Sequence, residues 1–180
     1  MAATLNTALS EYLATSYRPD REFVHGEIRG RNVGEPSHRN AQMRILELLR
    51  ANRSIWNIVA LPELRVQVSA ERFRIPDVCA LRDGAPYEEV VTHPPLLCVE
   101  ILSKDDRMSD MLERVEDYLR MGVACVWVID PRTRRGWEHL RDQQHDPGHG
   151  VRSIGYPESD SGGKEHAATD GKIANAPRKV

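Results

Sequence analysis

Two acidic residues sit where acids are unfavourable. Asp77 lies in the run from Arg72 to Leu81, and Glu100 in the run from Leu96 to Ser103. Each run is otherwise apolar enough to be a buried β-strand. An ionised carboxylate in apolar surroundings is unstable unless it is paired or bound to a metal. Side chains alternate along a strand, so Ile75, Asp77, Cys79 and Leu81 share one face, as do Leu96, Cys98, Glu100 and Leu102. Antiparallel pairing with Asp77 opposite Glu100 puts Cys79 opposite Cys98. It would bring the two carboxylates within about 5 Å at their Cβ atoms. Like charges that close raise a pKa unless a cation lies between them. A divalent ion with hard oxygen ligands fits, since magnesium typically uses one or two carboxylates with waters and substrate phosphate. The competing arrangement gives each acid an arginine, for which Arg65, Arg72 and Arg74 are near in sequence.

The flanking sequence supplies elements able to hold such a pair. Residues 4–16 carry apolar groups at helical spacing, and Pro19 and Asp20 interrupt them. Residues 22–29 read as two small strands around a His25-Gly26 turn, with Glu27 just past it. A helix follows from His38 to about Asn52, with Ser37 as N-cap and a stripe of Met43, Ile45, Leu46, Leu48 and Leu49. His38 falls in its first turn, either as a surface or capping residue or in a site at the helix start. Leu64, Val66 and Val68 alternate with Arg65 and Gln67 as a half-exposed strand. Past the Glu100 strand, Ser103 to Asp106 opens a second helix. Its apolar positions are Met108, Met111, Leu112, Val115, Tyr118 and Leu119, and Gly122 closes it. The run from Cys125 to Ile129 suits a strand covered on both faces, and residues 135–140 begin a further strand. The order from residue 38 is helix, three strands, helix, strand. A meander and a crossover then give an α+β mixed sheet with a helix on each face.

The chain of 180 residues is long enough for one cored domain, placed over residues 1–140. Residues 141–180 are rich in glycine and proline, offer little to bury and read as a disordered tail. In that tail Pro147-Gly148 separates His145 from His149, which excludes a helical metal pair. Lys and Arg number 25 against 27 Asp and Glu, for a net charge of −2, so any basic surface must be local. No stretch is apolar enough to span a membrane, and the N-terminus lacks signal-peptide character. Cys79, Cys98 and Cys125 have no metal-type spacing and read as reduced core residues of a cytoplasmic protein. Nucleotide-binding loops, zinc spacings, repeats and the Gly-x-Ser-x-Gly elbow that a Ser103–His38 hydrolase would need do not occur.

An ordered set of residues over about 18–138 resembles a known family. It comprises the Gly26-Glu27 hairpin, the helix start at Pro36 and His38, Pro76-Asp77, and Glu100 to Ser103. Tyr118 with Gly122-Val123, and the run from Trp127 to Asp130-Pro131, complete it. The set is similar to the Uma-two family of bacterial endonucleases, in the PD-(D/E)XK, restriction-endonuclease-like superfamily. The resemblance implies a restriction-endonuclease-like core, DNA as partner, and phosphodiester hydrolysis dependent on Mg²⁺, with Mn²⁺ as substitute. It implies Asp77 and Glu100 as metal ligands and raises Glu27 and His38 as site residues. A homodimer is left open.

The chain departs from the family pattern at two positions, and its 142–180 tail does not resemble the family's closing strands. The superfamily lysine two residues after the second acid is Leu102, and the helix lysine that replaces it in many members is Arg114. Arginine can stabilise negative charge on a phosphorane but cannot act as a base. Arg114 could equally pair with Asp110, one turn back. Lys104 is a second candidate cation, or a residue of a solvated helix start. Two readings follow: an active metal-dependent nuclease, or a degenerate copy of the same fold that binds nucleic acid or a protein partner without cutting.

Overall fold

The computed structural model describes residues 2–31, 34–86, 89–141 and 150–156. In chain order the described elements are α1 (Ala2–Ala14), β1 (Glu22–Val24), β2 (Glu27–Arg29), α2 (Pro36–Ala51), α3 (Arg53–Trp56), β3 (Ile58–Pro62), β4 (Arg65–Ser69) and β5 (Arg72–Arg74). They continue with β6 (Val78–Arg82), β7 (Val90–Val91), β8 (Leu97–Ile101), α4 (Met108–Met121), β9 (Cys125–Asp130), β10 (Arg135–Leu140) and β11 (Gly150–Ile154). The strands form two sheets where the sequence suggested one. A five-stranded sheet runs β2-β1-β5-β4-β7, and a six-stranded mixed sheet runs β11-β10-β9-β8-β6-β3.

The six-stranded sheet is the centre of the molecule. β6 pairs antiparallel with β3 and β8, while β8 and β9 run parallel through the α4 crossover. Alternation along these strands divides the core between two helices. Ala41, Ile45 and Leu49 of α2 pack on Val78, Ala80, Val99 and Ile129 on one face. Met111, Val115, Tyr118 and Leu119 of α4 pack on Cys79, Cys98, Val126 and Val128 on the other. The helix on each face that the sequence suggested is therefore present, and β9 is covered on both sides as its unbroken apolar run requires. The buried stripes are narrower than hydrophobicity alone implied. Met43 and Leu48 of α2, and Met108 and Leu112 of α4, are exposed. Pro36 at the first turn starts α2 two residues earlier than a Ser37 cap would, because its missing N–H is not needed there. Asp106 Oδ2 instead accepts a hydrogen bond from Ser103 N–H at 2.7 Å, closing a turn that delays α4 to Met108.

The half-exposed strand β4 joins the second sheet rather than pairing with β6, and Glu63 in a left-handed conformation separates it from β3. Tyr12 of α1 packs on Phe23 and Phe73, each ring centroid 5.4 Å from its own, anchoring α1 to β1 and β5. His25 and Gly26, at φ 55° and 78°, form the tight β1–β2 turn, a conformation that suits a primed hairpin turn and favours glycine. The tail expected from residue 141 contributes one more strand. β11 pairs with β10 from Gly136↔Ile154 to Leu140↔Gly150, and Arg152 closes an ion pair with Glu138. Packing of Ile154 and Tyr156 onto the α2-side core is what holds it there. His145 and His149 lie outside the described residues.

Candidate active site

The step between Arg74 and Val78 carries the chain from one sheet to the other, and Asp77 lies at that crossing. Val78 pairs with Val99 and Cys79 with Cys98. Extended by one residue, the same register sets Asp77 beside Glu100, both on the α4 side and both buried. Period-two alternation put the two acids on one face, and the antiparallel register put them side by side.

Each carboxylate is held by a different set of groups. Asp77 Oδ2 accepts the backbone N–H of Ile101 at 2.7 Å and faces His38 Nε2 at 3.2 Å, while Oδ1 accepts from Arg31 Nη2 at 2.5 Å. Glu100 Oε1 accepts the Tyr118 hydroxyl at 2.7 Å, and Oε2 lies 3.8 Å from Arg114 Nη1. Arg114 also lies 3.7 Å from Glu22 Oε1 through its Nε, so its guanidinium is suspended between two buried acids. Glu22 is fixed in turn by Arg74 at 2.9 Å and the Ile75 N–H at 3.3 Å. Asp117 of α4 grips both Arg72 and Arg74, at 2.6 and 2.8 Å. These pairs tie α4 to the five-stranded sheet directly behind the cleft.

The two acids differ electrostatically. Burial pushes Glu100 up to about 7, assisted by the negative charge of Asp77 and only partly opposed by Arg114. Burial acts on Asp77 as well, but the hydrogen bond to His38 and the charge of Arg31 outweigh it and hold Asp77 below the usual carboxylate range. Burial would depress His38, yet its bond to Asp77 reverses this and raises it. The His38 Nδ1 atom is buried and has no hydrogen-bond partner among the described residues. Gly34 makes room for that ring, since a Cβ at Gly34 would collide with it.

Asp77, Glu100, His38 and Arg114 thus line one small cleft, with Arg31 and Asp106. Glu27 is not part of it. Its side chain is exposed on β2, the edge strand, with Arg29 at 3.6 Å, whereas Glu22 lies on β1, covered between β2 and β5. Arg114 faces Glu22 and Glu100 rather than standing alone on the helix surface. Leu102 is buried against α4, and Lys104 is exposed in the following turn. The arginines near in sequence do not neutralise Asp77, for Arg65 pairs with Asp20 and Arg72 and Arg74 with Asp117. Arg31 does so instead. Sequence reasoning missed Arg31 and Glu22. Glu22 carried a signal, an acid bordering Phe23 and Val24, whereas Arg31 in a polar loop carried none.

Among the described residues no group of three or more His, Cys, Asp or Glu side chains forms a ready metal cage. Two carboxylates nonetheless suit magnesium, which completes its octahedron with waters and substrate oxygens. The raised Glu100, a buried acid short of compensating charge, matches such a ligand.

A mixed sheet with a helix on each face and two acids abreast at its central strands, one just before β6 and one on β8, is a restriction-endonuclease-like fold. Among solved structures, a crystal structure of a putative nuclease belonging to DUF820 from Anabaena variabilis is similar. The two share 18% identity at a TM-score of 0.68, over 84% of this chain and 86% of that one. The chain belongs to the Uma2 family, described as "Putative restriction endonuclease", whose family model matches residues 9–155. That span includes β11. No curated protein matches the chain.

Proposed function

We propose that the chain is a metal-dependent endonuclease that hydrolyses phosphodiester bonds in DNA, with Asp77 and Glu100 holding Mg²⁺ or Mn²⁺. What carries the reading is the placement of two buried carboxylates abreast, Asp77 just before β6 and Glu100 on β8, one of them undercompensated. A divalent cation bound there supplies acidification of a water and neutralisation of charge on phosphate. The chain's own residues orient and compensate. Tyr118 fixes the Glu100 carboxylate through Oε1. His38 and the Ile101 N–H fix Asp77 through Oδ2, making His38 a positioning residue. Arg114 keeps its proton throughout, being raised further by Glu100 and Glu22 once burial is overcome. It therefore stabilises negative charge on phosphate and does not accept a proton. Family membership and the fold support the nuclease class.

A second reading, a non-cleaving member of the fold, draws on Leu102. Its side chain is part of the α4-side core, so no amine stands two residues after Glu100 to serve as a base. Plasmid nicking separates the two. The full chain with Mg²⁺ or Mn²⁺ is expected to convert supercoiled to open-circular DNA, and Asp77→Asn to reduce the rate at least about a hundredfold. Nicking equal in wild type and Asp77→Asn, or absent with both ions, would remove the catalytic reading. DNA binding that survives would then point to the second.

A further inference from the structure

Arg31 is anchored more firmly to the candidate cation site than to its own surroundings. It lies between β2 and α2, near Gly30 and Gly34, and reaches into the cleft with its side chain only 13% exposed. Its Nη2 is 2.5 Å from Asp77 Oδ1, while Nη1 reaches the half-exposed Glu63 only at 3.7 Å. Asp77 Oδ2 already serves two groups, the Ile101 N–H and His38. The oxygen that remains for a cation is the one Arg31 holds. A divalent ion on that oxygen would lie within a few ångströms of a permanent guanidinium, and like charges at that distance repel strongly where water is scarce. A guanidinium released from a carboxylate retains its planar fork of donors, which matches two oxygens of a phosphate as well as it matches a carboxylate.

We propose that Arg31 is a phosphate-binding residue held in reserve: its guanidinium covers Asp77 until a divalent cation takes that oxygen, and it then pairs with a phosphodiester oxygen of the substrate. This rests on the reading of Asp77 and Glu100 as cation ligands. Arg31 thereby links the two ligands. It opposes the cation when substrate is absent and rewards the pair when both are present, a coupling between binding sites.

The test uses the full chain and one variant measured twice. Arg31→Gln retains a hydrogen-bond donor for Asp77 but no charge, and Arg31→Met serves should the glutamine variant fold poorly. Mn²⁺ titrated calorimetrically without DNA should bind the variant at least about tenfold more tightly than wild type. Binding of a short DNA duplex, followed by fluorescence anisotropy with Ca²⁺ in place of Mg²⁺, should weaken about tenfold. Its log–log salt slope should fall by about one. Opposite shifts in one variant are the signature, because mere loosening of the fold would weaken both. Asp77→Asn is the parallel control. If it abolishes Mn²⁺ binding while Arg31→Gln leaves that binding unchanged, the Arg31 inference is overturned and the proposed function stands. DNA binding unchanged in Arg31→Gln also overturns the inference. If neither wild type nor the Arg31 variants bind Mn²⁺, both fail together.

Discussion

Glu100→Gln should make the metal-free protein more stable above neutral pH. The Glu100 carboxyl is 2% exposed and titrates near 7, against an ordinary value of 4.5. Between those values the folded chain keeps a proton that the unfolded chain has released. Stability from this group is therefore complete below about pH 4.5 and drains away as pH rises through about 7. At about 1.4 kcal/mol per pH unit, the full loss is ~3 kcal/mol. Glutamine has no proton to lose. Its carbonyl can still accept the Tyr118 hydroxyl, but its amide faces the Arg114 guanidinium, donor against donor, which returns about 1 kcal/mol of the gain. The net expectation at pH 8 is ~2 kcal/mol in favour of the variant. At pH 5 the order reverses by up to ~1 kcal/mol. Asp77 and His38 also titrate with folding, but they are present in both proteins and largely cancel in the difference.

The assay is urea unfolding of wild type and Glu100→Gln at several pH values between 5 and 8, in chelator, with the m-value checked for constancy. The two stability curves should cross. Parallel curves, with wild type the more stable throughout, would show that Glu100 is adequately compensated by Arg114 and has no unmet demand for positive charge. A crossing would identify a residue retained against the interest of stability, as groups at functional sites commonly are. Saturating Mg²⁺ should then stabilise wild type but not the variant, by mass action on the folded state.

Tyr118→Phe removes the hydroxyl 2.7 Å from Glu100 Oε1, so the Glu100 carboxyl, followed by ¹³C NMR, should titrate about one pH unit higher; an unchanged midpoint would mean the bond does not favour the anion. Gly34→Ala pushes a methyl into the His38 ring and should cost about 2 kcal/mol in urea unfolding, with the loss largely absent when His38→Ala is combined with it; full additivity would place the strain elsewhere. Asp117→Asn leaves Arg72 and Arg74 without their shared acid and should destabilise the chain by ~3 kcal/mol, since breaking a buried pair strands the partner charge; a change below about 1 kcal/mol would show that Glu22, bonded to Arg74, and Glu113, 3.3 Å from both arginines, suffice.

The parts of the fold legible in the sequence are those governed by short-range repetition. Period-two alternation placed Asp77 with Cys79 and Glu100 with Cys98, and helical spacing found α2 and α4. The unbroken run from Cys125 to Ile129 announced a strand covered twice. The second sheet was not legible, because alternation in Leu64 to Val68 fits any half-covered sheet and says nothing of which strand lies alongside. β11 was missed for a related reason. A polar edge strand such as Gly150–Ile154 buries little beyond Ile154, and it depends on that contact, on the ladder β10 offers and on Glu138 as partner for Arg152.

The site divides along the same line. An acid inside an apolar strand is visible from sequence because its energetic cost is local, and Asp77, Glu100 and, in hindsight, Glu22 all announce themselves that way. Cations that compensate such acids leave no local trace, since a long side chain can be delivered from any loop that passes near. Arg31 comes from 46 residues before Asp77, and Arg114 from the cleft-facing side of α4. The same asymmetry explains the choice of the wrong hairpin acid. Glu22 and Glu27 share one face of the hairpin, and only the order of strands separates them: β1 lies inside the sheet beside β5, so Glu22 meets Arg74 and Arg114 behind the cleft, while β2 is the edge strand and leaves Glu27 exposed. Compensation is thus the least predictable layer of the site and the most informative one. It leaves Asp77 fully satisfied and Glu100 short of charge, so the strongest pull on an incoming cation comes from Glu100, while access to Asp77 depends on moving Arg31.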